Sequence, residues 1–177
     1  MTDGPASPAA PAATTPNGDQ PEPSVELSPA EADAVSDVVI AYLRAVPVER
    51  RGPYVELLDQ VTEGHGDGAR VTGPAVTTLE QVCAVSLETG RARQIGTAEV
   101  EGHVAAVFRR TPEGTARLSR LRDVNAALSR LKGEPLTNAQ FSSQRPGRYT
   151  LSLGVPGFAV SLVITPAGVE LSSLSTG

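Results

Sequence analysis

The sequence predicts an α+β fold, in which an N-terminal helical segment of three to five helices packs on a C-terminal three-stranded antiparallel meander. Two observations predict it. Apolar residues recur with helical spacing behind capping signals in the earlier part of the chain, and they alternate with small residues over residues 149–174. We therefore expect a single α+β domain over residues 27–177, preceded by a disordered arm over residues 1–26.

The arm is predicted from its composition. Residues 1–26 are rich in proline and alanine, contain no lysine or arginine, and offer only Val25 as a large apolar residue after Met1. Such a segment buries too little apolar surface to offset the loss of chain entropy. It also lacks the basic and apolar regions of a secretory signal, and no stretch of the chain has the length and apolarity of a membrane span. We expect a cytoplasmic protein that does not engage a membrane.

The first two helices are predicted from their start signals. Ser28 is placed at an N-cap, with proline at the first helical position and Glu31 where a capping box needs it, and Pro47 ends this helix. A second helix is predicted to begin at Gly52 and to end in the glycine-rich segment 64–68. Each has an apolar stripe, so we expect them to pack as an antiparallel pair; the stripes contain Val35, Val38, Val39, Tyr42, Leu43 and Val46, and Tyr54, Leu57, Leu58 and Val61.

The middle of the chain is less clearly patterned. A third helix is predicted to begin at the capping box Thr77–Glu80 and to end near Gly90. The apolar residues of segment 98–121 fit a helix and also an alternating strand, so a β-hairpin that extends the meander is an equal alternative there. Helical spacing prevails from Leu118 onward, and a polar connection over residues 134–148 leads into the meander.

The meander is predicted to have one apolar face and one small, nearly uncharged face. Turns are expected at residues 154–157 and 165–168, where proline and glycine occupy suitable turn positions. Tyr149, Leu151, Leu153, Val155, Phe158, Val160, Leu162 and Ile164 form the apolar face. The other face carries one charge, Glu170, and such a face suits a protein partner as well as water. We therefore predict partner binding there or along an edge strand, at Thr150, Ser152, Ala159, Ser161 and Ser172.

Charge is unevenly distributed along the chain. Residues 1–67 carry twelve acidic and three basic side chains, whereas residues 109–148 carry nine basic and three acidic ones. Internal complementarity between the two parts explains this most simply, and electrostatic steering of a partner is the alternative.

The Arg-rich segment 109–132 suggests a further function, nucleic-acid binding through a basic patch. Helical geometry spreads its cations around the exposed side and base-stacking aromatics are scarce, which makes this unlikely; the candidate patch comprises Arg109, Arg110, Arg120 and Arg130.

Other chemistry finds little support in the sequence. His65 and Asp67 form a His-x-Asp pair in a glycine-rich turn, but no second cluster completes a metal site, so no metal is predicted. Cys83, the only cysteine, lies on the apolar side of its helix and is predicted to be a core residue. No phosphate loop or nucleophile elbow is present, so we predict neither a catalytic residue nor a cofactor.

No motif singles out one biochemical activity, and the prediction rests on the meander. We expect a non-enzymatic protein-interaction or regulatory domain whose partner is a protein, either the same chain or another. A small-ligand-binding protein or enzyme with a pocket between helices and sheet is the first alternative. Nucleic-acid binding through segment 109–132 is the second.

Overall fold

The computed structural model describes residues 22–64 and 66–176, without the side chain of Gln144. The described residues form a mixed α and β structure, as predicted, with six α-helices and two antiparallel sheets. A short 3-10 turn lies between the first two helices. The elements are β1 Ser24–Leu27, α1 Pro29–Ala45, α2 Gly52–Glu63, β2 Ala69–Thr72, α3 Pro74–Glu88, α4 Arg91–Ile95, α5 Ala98–Arg110, α6 Pro112–Ser129, β3 Asn138–Arg145, β4 Arg148–Val155, β5 Phe158–Thr165 and β6 Gly168–Thr176.

The small sheet was not predicted, and it alters the boundary of the arm. β1 pairs antiparallel with β2, which places Val25 opposite Val71, and both side chains are buried. Residues 24–26, predicted to belong to the arm, are therefore part of the folded structure. Residues 1–21 of the predicted arm lie outside the described residues.

The first helices bury their apolar stripes against one another and against the small sheet. Val35, Leu57, Leu79 and Val104, from α1, α2, α3 and α5, are fully buried in one continuous cluster. The rings of Tyr42 and Tyr54 stack between α1 and α2 with their centroids 5.9 Å apart, and both pack on this cluster. The predicted packing of the first two helices against each other is confirmed.

The capping box predicted for α1 is confirmed, whereas the one predicted for α3 is wrong. Glu31 Oε2 accepts hydrogen bonds from the backbone N–H and the hydroxyl of Ser28, each 2.9 Å long. α3 begins at Pro74, because Gly73 at φ +59° reverses the chain and proline is well suited to the first helical position. Glu80 instead accepts a 2.8 Å hydrogen bond from the Glu113 backbone N–H and so caps α6.

Segment 98–121 is helical, so the hairpin alternative is wrong. Thr97 and Thr111 each act as an N-cap, and their hydroxyls accept from the N–H groups of Glu99 and Gly114 at 3.2 Å. The buried Thr111 hydroxyl also donates to the Phe108 carbonyl at 2.8 Å, at the end of α5. Thr111 therefore binds the last turn of α5 and caps the first turn of α6. Such a cap is typical of a junction between two helices and is not expected in a β-hairpin.

The large sheet has four strands in the order β3-β4-β5-β6. β4, β5 and β6 correspond to the predicted meander, and β3 comes from the stretch that was predicted to be a polar connection. The turn between β3 and β4 explains why these strands pair. It is formed by Pro146-Gly147, ten residues before the Pro156-Gly157 turn that joins β4 to β5, and both glycines have φ +77°. A type II turn requires such a conformation at this position, and glycine adopts it without steric cost.

A single helix packs on this sheet among the described helices, which corrects the prediction that three to five do so. Val124 and Ala127 of α6 are buried against Val160 and Leu162. The remaining helices already bury their stripes in the larger cluster, so they have no apolar face left for the sheet. Within the described ranges, no helix is both long enough and apolar enough to cross a membrane.

Candidate functional site

The large sheet has two unlike faces. We call the side that carries Leu151, Val160 and Leu162 the apolar face, and α6 packs on its β5 and β6 half. The other side is the hydroxyl face. Cross-strand register places mostly small residues on it, with one charged residue, Glu170; from β3 to β6 they are Gln140 and Ser142, Thr150 and Ser152, Ala159, Ser161 and Val163, and Glu170, Ser173 and Ser175.

Four of the five residues predicted to bind a partner lie together on the hydroxyl face. Thr150, Ser152, Ala159 and Ser161 occupy the two central strands and are half-buried. Ser152 and Ser161 lie directly opposite each other, and their hydroxyl oxygens are 3.1 Å apart in a cross-strand hydrogen bond. One hydroxyl donates and the other accepts in this bond, so a protein surface that covers the pair desolvates one remaining O–H group rather than two.

Ser172, the fifth predicted residue, does not share their register. Ser161 pairs with Ser173 and Leu162 pairs with Leu171, so Ser172 is the extra residue of a β-bulge. Ser173 takes the place on the hydroxyl face that the simple alternation assigned to Ser172. A bulge also disrupts the regular edge of β6, which is one way in which natural sheets limit edge-to-edge association.

The opposite edge of the sheet is open. Among the described strands, β3 pairs only with β4, and its pairing is regular from Asn138 to Ser143. Every described side chain of β3 is exposed, and between Asn138 and Gln144 the sequence contains neither a charged residue nor a proline. Arg145 and an irregular register after Ser143 protect the C-terminal end of β3. Over Asn138 to Ser143 the strand lacks such protection, so the outer backbone groups of this stretch can accept another strand.

An exposed aromatic pair accompanies this edge. Phe141 of β3 and Tyr149 of β4 stack on the apolar face, with their ring centroids 5.4 Å apart and an interplanar angle of 16°. Phe141 is 61% exposed and Tyr149 is 38% exposed, since α6 packs on the other half of that face. Large exposed aromatic side chains are enriched at protein interfaces, so the pair adds apolar contact area to the open edge.

Sequence reasoning missed β3 and therefore Phe141. A signal was present, because Pro146, Pro156 and Pro166 recur at intervals of ten residues and each lies in a turn between strands. That spacing marks three consecutive hairpins and therefore four strands. The polar sequence of β3 conceals the strand, since only one of its side chains is large and apolar.

Half of the predicted basic patch is paired with carboxylates within the fold. Arg110 lies 2.7 Å from Glu31, and Arg120 lies 2.8 Å from Glu113 and 3.4 Å from Glu170. The Arg130 guanidinium lies over the Phe158 ring, 5.5 Å from its centroid, and Arg109 is exposed. Two of the four candidate arginines thus bind carboxylates, which favours internal charge complementarity over a surface for nucleic acid.

Arg117 is a central member of this internal network. It contacts Glu113 at 3.0 Å and Glu88 at 3.2 Å, and its guanidinium lies 5.1 Å from the Phe108 ring centroid. Hydrogen bonds from Arg117 and then Arg120 outweigh partial burial and hold the pKa of the Glu113 carboxyl below its usual value. α6 is therefore held to the helical part of the molecule by charged groups at its N-terminal end.

A cleft of about 570 Å³ lies between α6 and the β6 edge. Arg120, Asp123, Arg130 and Glu170 line it with charge, and Leu171 and Leu174 supply apolar surface. Its position matches the pocket between helix and sheet that the ligand-binding alternative requires. The lining offers both signs of charge at an exposed site.

The remaining candidate groups are the Cys83 thiol and the His-x-Asp pair at residues 65 and 67. Cys83 is 1% exposed, and burial, together with the nearby Glu80 carboxylate, raises the pKa of its thiol to about 12. A thiol with such a pKa is protonated at neutral pH, so Cys83 is a core residue, as predicted. His65 lies outside the described residues, and the described part of the chain contains no group of three or more potential metal-ligating His, Cys, Asp or Glu side chains.

Comparison with known proteins does not assign a family to this chain. Neither the models of protein families nor the curated proteins nor the solved structures contain a match.

Proposed function

We propose that this chain is a non-enzymatic protein-interaction or regulatory domain that docks a protein partner through the large sheet, at its hydroxyl face or along the open β3 edge. One observation carries the proposal: over Asn138 to Ser143, β3 is a regular and uncharged edge strand with exposed side chains, among them the aromatic ring of Phe141. The paired hydroxyls of Ser152 and Ser161 add a surface that a partner can cover without desolvating a charge.

The cysteine content of the chain favours a cytoplasmic location. Cys83 is the only cysteine in the chain and is buried, so no intrachain disulfide contributes to the fold. This is typical of proteins from reducing compartments, and we propose that the interaction takes place in the cytoplasm.

Two sets of substitutions test the centre of the hydroxyl face and its border along β3. Ala159→Asp places a carboxylate beside the serines of the hydroxyl face, and Gln140→Lys combined with Ser142→Lys places two ammonium groups along β3. We expect one of these variants to lose a partner that the wild-type chain retains in pull-down and cross-linking experiments. Gln81→Asp, at an exposed position of α3, is the matched control and should retain every partner.

Stability must be measured alongside binding. All the substituted side chains are exposed or half-buried, so thermal unfolding of each variant should stay close to that of the wild type. If the face and edge variants are both folded and both retain every partner, the proposal is wrong.

A small-ligand-binding function is the second candidate, and the cleft between α6 and β6 supports it. Arg130, which lines the cleft and lies over the Phe158 ring, is placed to bind an anionic group. A ligand of this site would raise the unfolding temperature of the wild-type chain by mass action and would not raise that of Arg130→Ala. A panel of small carboxylates and phosphates, followed by thermal unfolding, tests this; an equal response of both chains would argue against the site.

A further inference from the structure

The open edge of β3 is a strand that can pair with a copy of itself. Its register with β4 is regular over Asn138 to Ser143, so its outer backbone groups form an uninterrupted row. An antiparallel arrangement of two identical strands about a twofold axis matches each donor of one strand with an acceptor of the other. β6 offers no comparable edge, because its bulge at Ser172 breaks the regular spacing.

The charges that flank β3 favour the antiparallel orientation. Glu134 precedes the strand, and Arg145 and Arg148 lie at its other end; none of the three makes an ion pair within the described part of the chain. Antiparallel pairing of two copies brings the acidic end of each strand to the basic end of the other, at both ends of the interface. Parallel pairing would bring like charges together.

The aromatic pair strengthens the same arrangement. Residues directly opposite each other in antiparallel strands project to the same face, with Cβ atoms about 5 Å apart. A twofold axis near Phe141 therefore brings Phe141 of both copies together on the apolar face, beside the two Tyr149 rings. This contact would cover side chains that are 61% and 38% exposed in the single chain.

The distribution of net charge also selects this end of the molecule for self-association. Residues 22–108 carry fourteen acidic and six basic side chains, so contact between two copies of this part is opposed by repulsion. Residues 134–176 carry two acidic and two basic side chains. Two copies therefore approach through the β3 end without net electrostatic opposition.

We propose that two copies of this chain pair through β3, antiparallel and about a twofold axis near Phe141, and join their four-stranded sheets into one continuous sheet. The inference rests on the proposed function and names the partner of the same edge. The partner is a second copy of the chain.

Size-exclusion chromatography with light scattering tests the inference on the full chain. At about 100 μM, where a micromolar dimer is populated, we expect twice the single-chain mass of 18.3 kDa. Gln140→Lys combined with Ser142→Lys should raise the Kd at least about tenfold, because two ammonium groups per strand face their copies across the axis. Ser173→Lys, on the opposite edge strand, should leave the dimer intact.

A charge exchange tests the orientation independently of the lysine variants. Glu134→Arg alone or Arg145→Glu alone places like charges at both ends of the interface and should weaken the dimer several-fold. The two changes combined restore opposite charges and should restore the wild-type Kd. A double variant as weak as the single ones would overturn the antiparallel orientation.

The outcomes separate this inference from the broader proposal. A monomer at about 100 μM, or a Kd that the two lysines leave unchanged when the chain is diluted in steps, overturns pairing through β3. If the chain is monomeric but the lysines abolish binding of another protein, the inference fails and the proposed function stands. If the chain is monomeric and neither the edge nor the face variant changes any interaction, both fail.

Discussion

The helical part and the large sheet differ in how completely they bury their apolar residues. Of the described residues, nineteen from β1, β2 and α1 to α5 form one buried cluster, whereas the cluster between α6 and the large sheet contains four buried residues. A buried cluster stabilises a fold roughly in proportion to the apolar area it removes from water. The helical part therefore carries most of the stability, and the sheet exposes surface that can be used for binding.

α6 connects the two parts and belongs to both. Its N-terminal end is capped by Thr111 and Glu80 and is tied by Arg117 to Glu88 of α3. Its C-terminal half packs on the sheet through Val124 and Ala127. The sheet is thus held to the rest of the molecule by a helix whose start is fixed by polar contacts and whose end is fixed by apolar ones.

The largest expected effect compares leucines in the two clusters. Leu79→Ala removes a fully buried side chain from the helical cluster and should lower the free energy of unfolding by about 2–5 kcal/mol. Leu171→Ala makes the same change at a half-buried position under α6 and should cost less, because less surface is lost and the site can relax. Urea denaturation measures both; equal losses would contradict the contrast between the two regions.

The junction between α5 and α6 should be the next most sensitive position. An added Cβ at Gly114 would lie 1.8 Å from the Phe108 carbonyl oxygen, so Gly114→Ala forces the backbone apart and should cost about 1–3 kcal/mol. Gly102→Ala, in the middle of α5, meets nothing within 4 Å and should stabilise the helix by about 0.5–1 kcal/mol. Opposite signs in thermal unfolding are expected, and a neutral Gly114→Ala would show that the junction tolerates movement.

The cap that α3 provides for α6 should contribute a smaller amount. Glu80→Ala removes the acceptor of the Glu113 backbone N–H and should lower the free energy of unfolding by about 1 kcal/mol. Gln81→Ala, the next residue on the same helix, is exposed and should change it by less than about 0.5 kcal/mol. Chemical denaturation of both variants decides whether the cap links the two regions.

Acid should weaken the helical part through Glu31. Burial raises the pKa of this carboxyl, but hydrogen bonds from Arg110 and Ser28 outweigh burial and lower the pKa below its ordinary value of 4.5. A lowered pKa stabilises the folded state above that ordinary value, and the contribution is lost as pH falls through the lowered pKa. Glu31→Gln should therefore flatten the acid limb of a plot of urea midpoint against pH, and an unchanged limb would exclude this carboxyl as a contributor.

Much of the secondary structure was predictable because its signals are local. The Ser28-Pro29 start of α1, the Gly52 start of α2 and the strands from Tyr149 onward follow from caps, turns and periodicity within a few residues. Of the candidate site, the cross-strand neighbours Thr150, Ser152, Ala159 and Ser161 were found in the same way.

What the sequence by itself determined, then, is the mixed fold, the order of most elements and the small, nearly uncharged character of one sheet face. Only the tertiary structure decided that residues 98–121 are helical, that α6 covers the sheet, that β3 forms its open edge and that Glu80 caps another helix. The physical reason is the separation along the chain over which each kind of interaction acts. Caps and alternation act over a few residues, whereas the choice of packing partner depends on which distant groups are left to bury apolar surface or to accept a hydrogen bond.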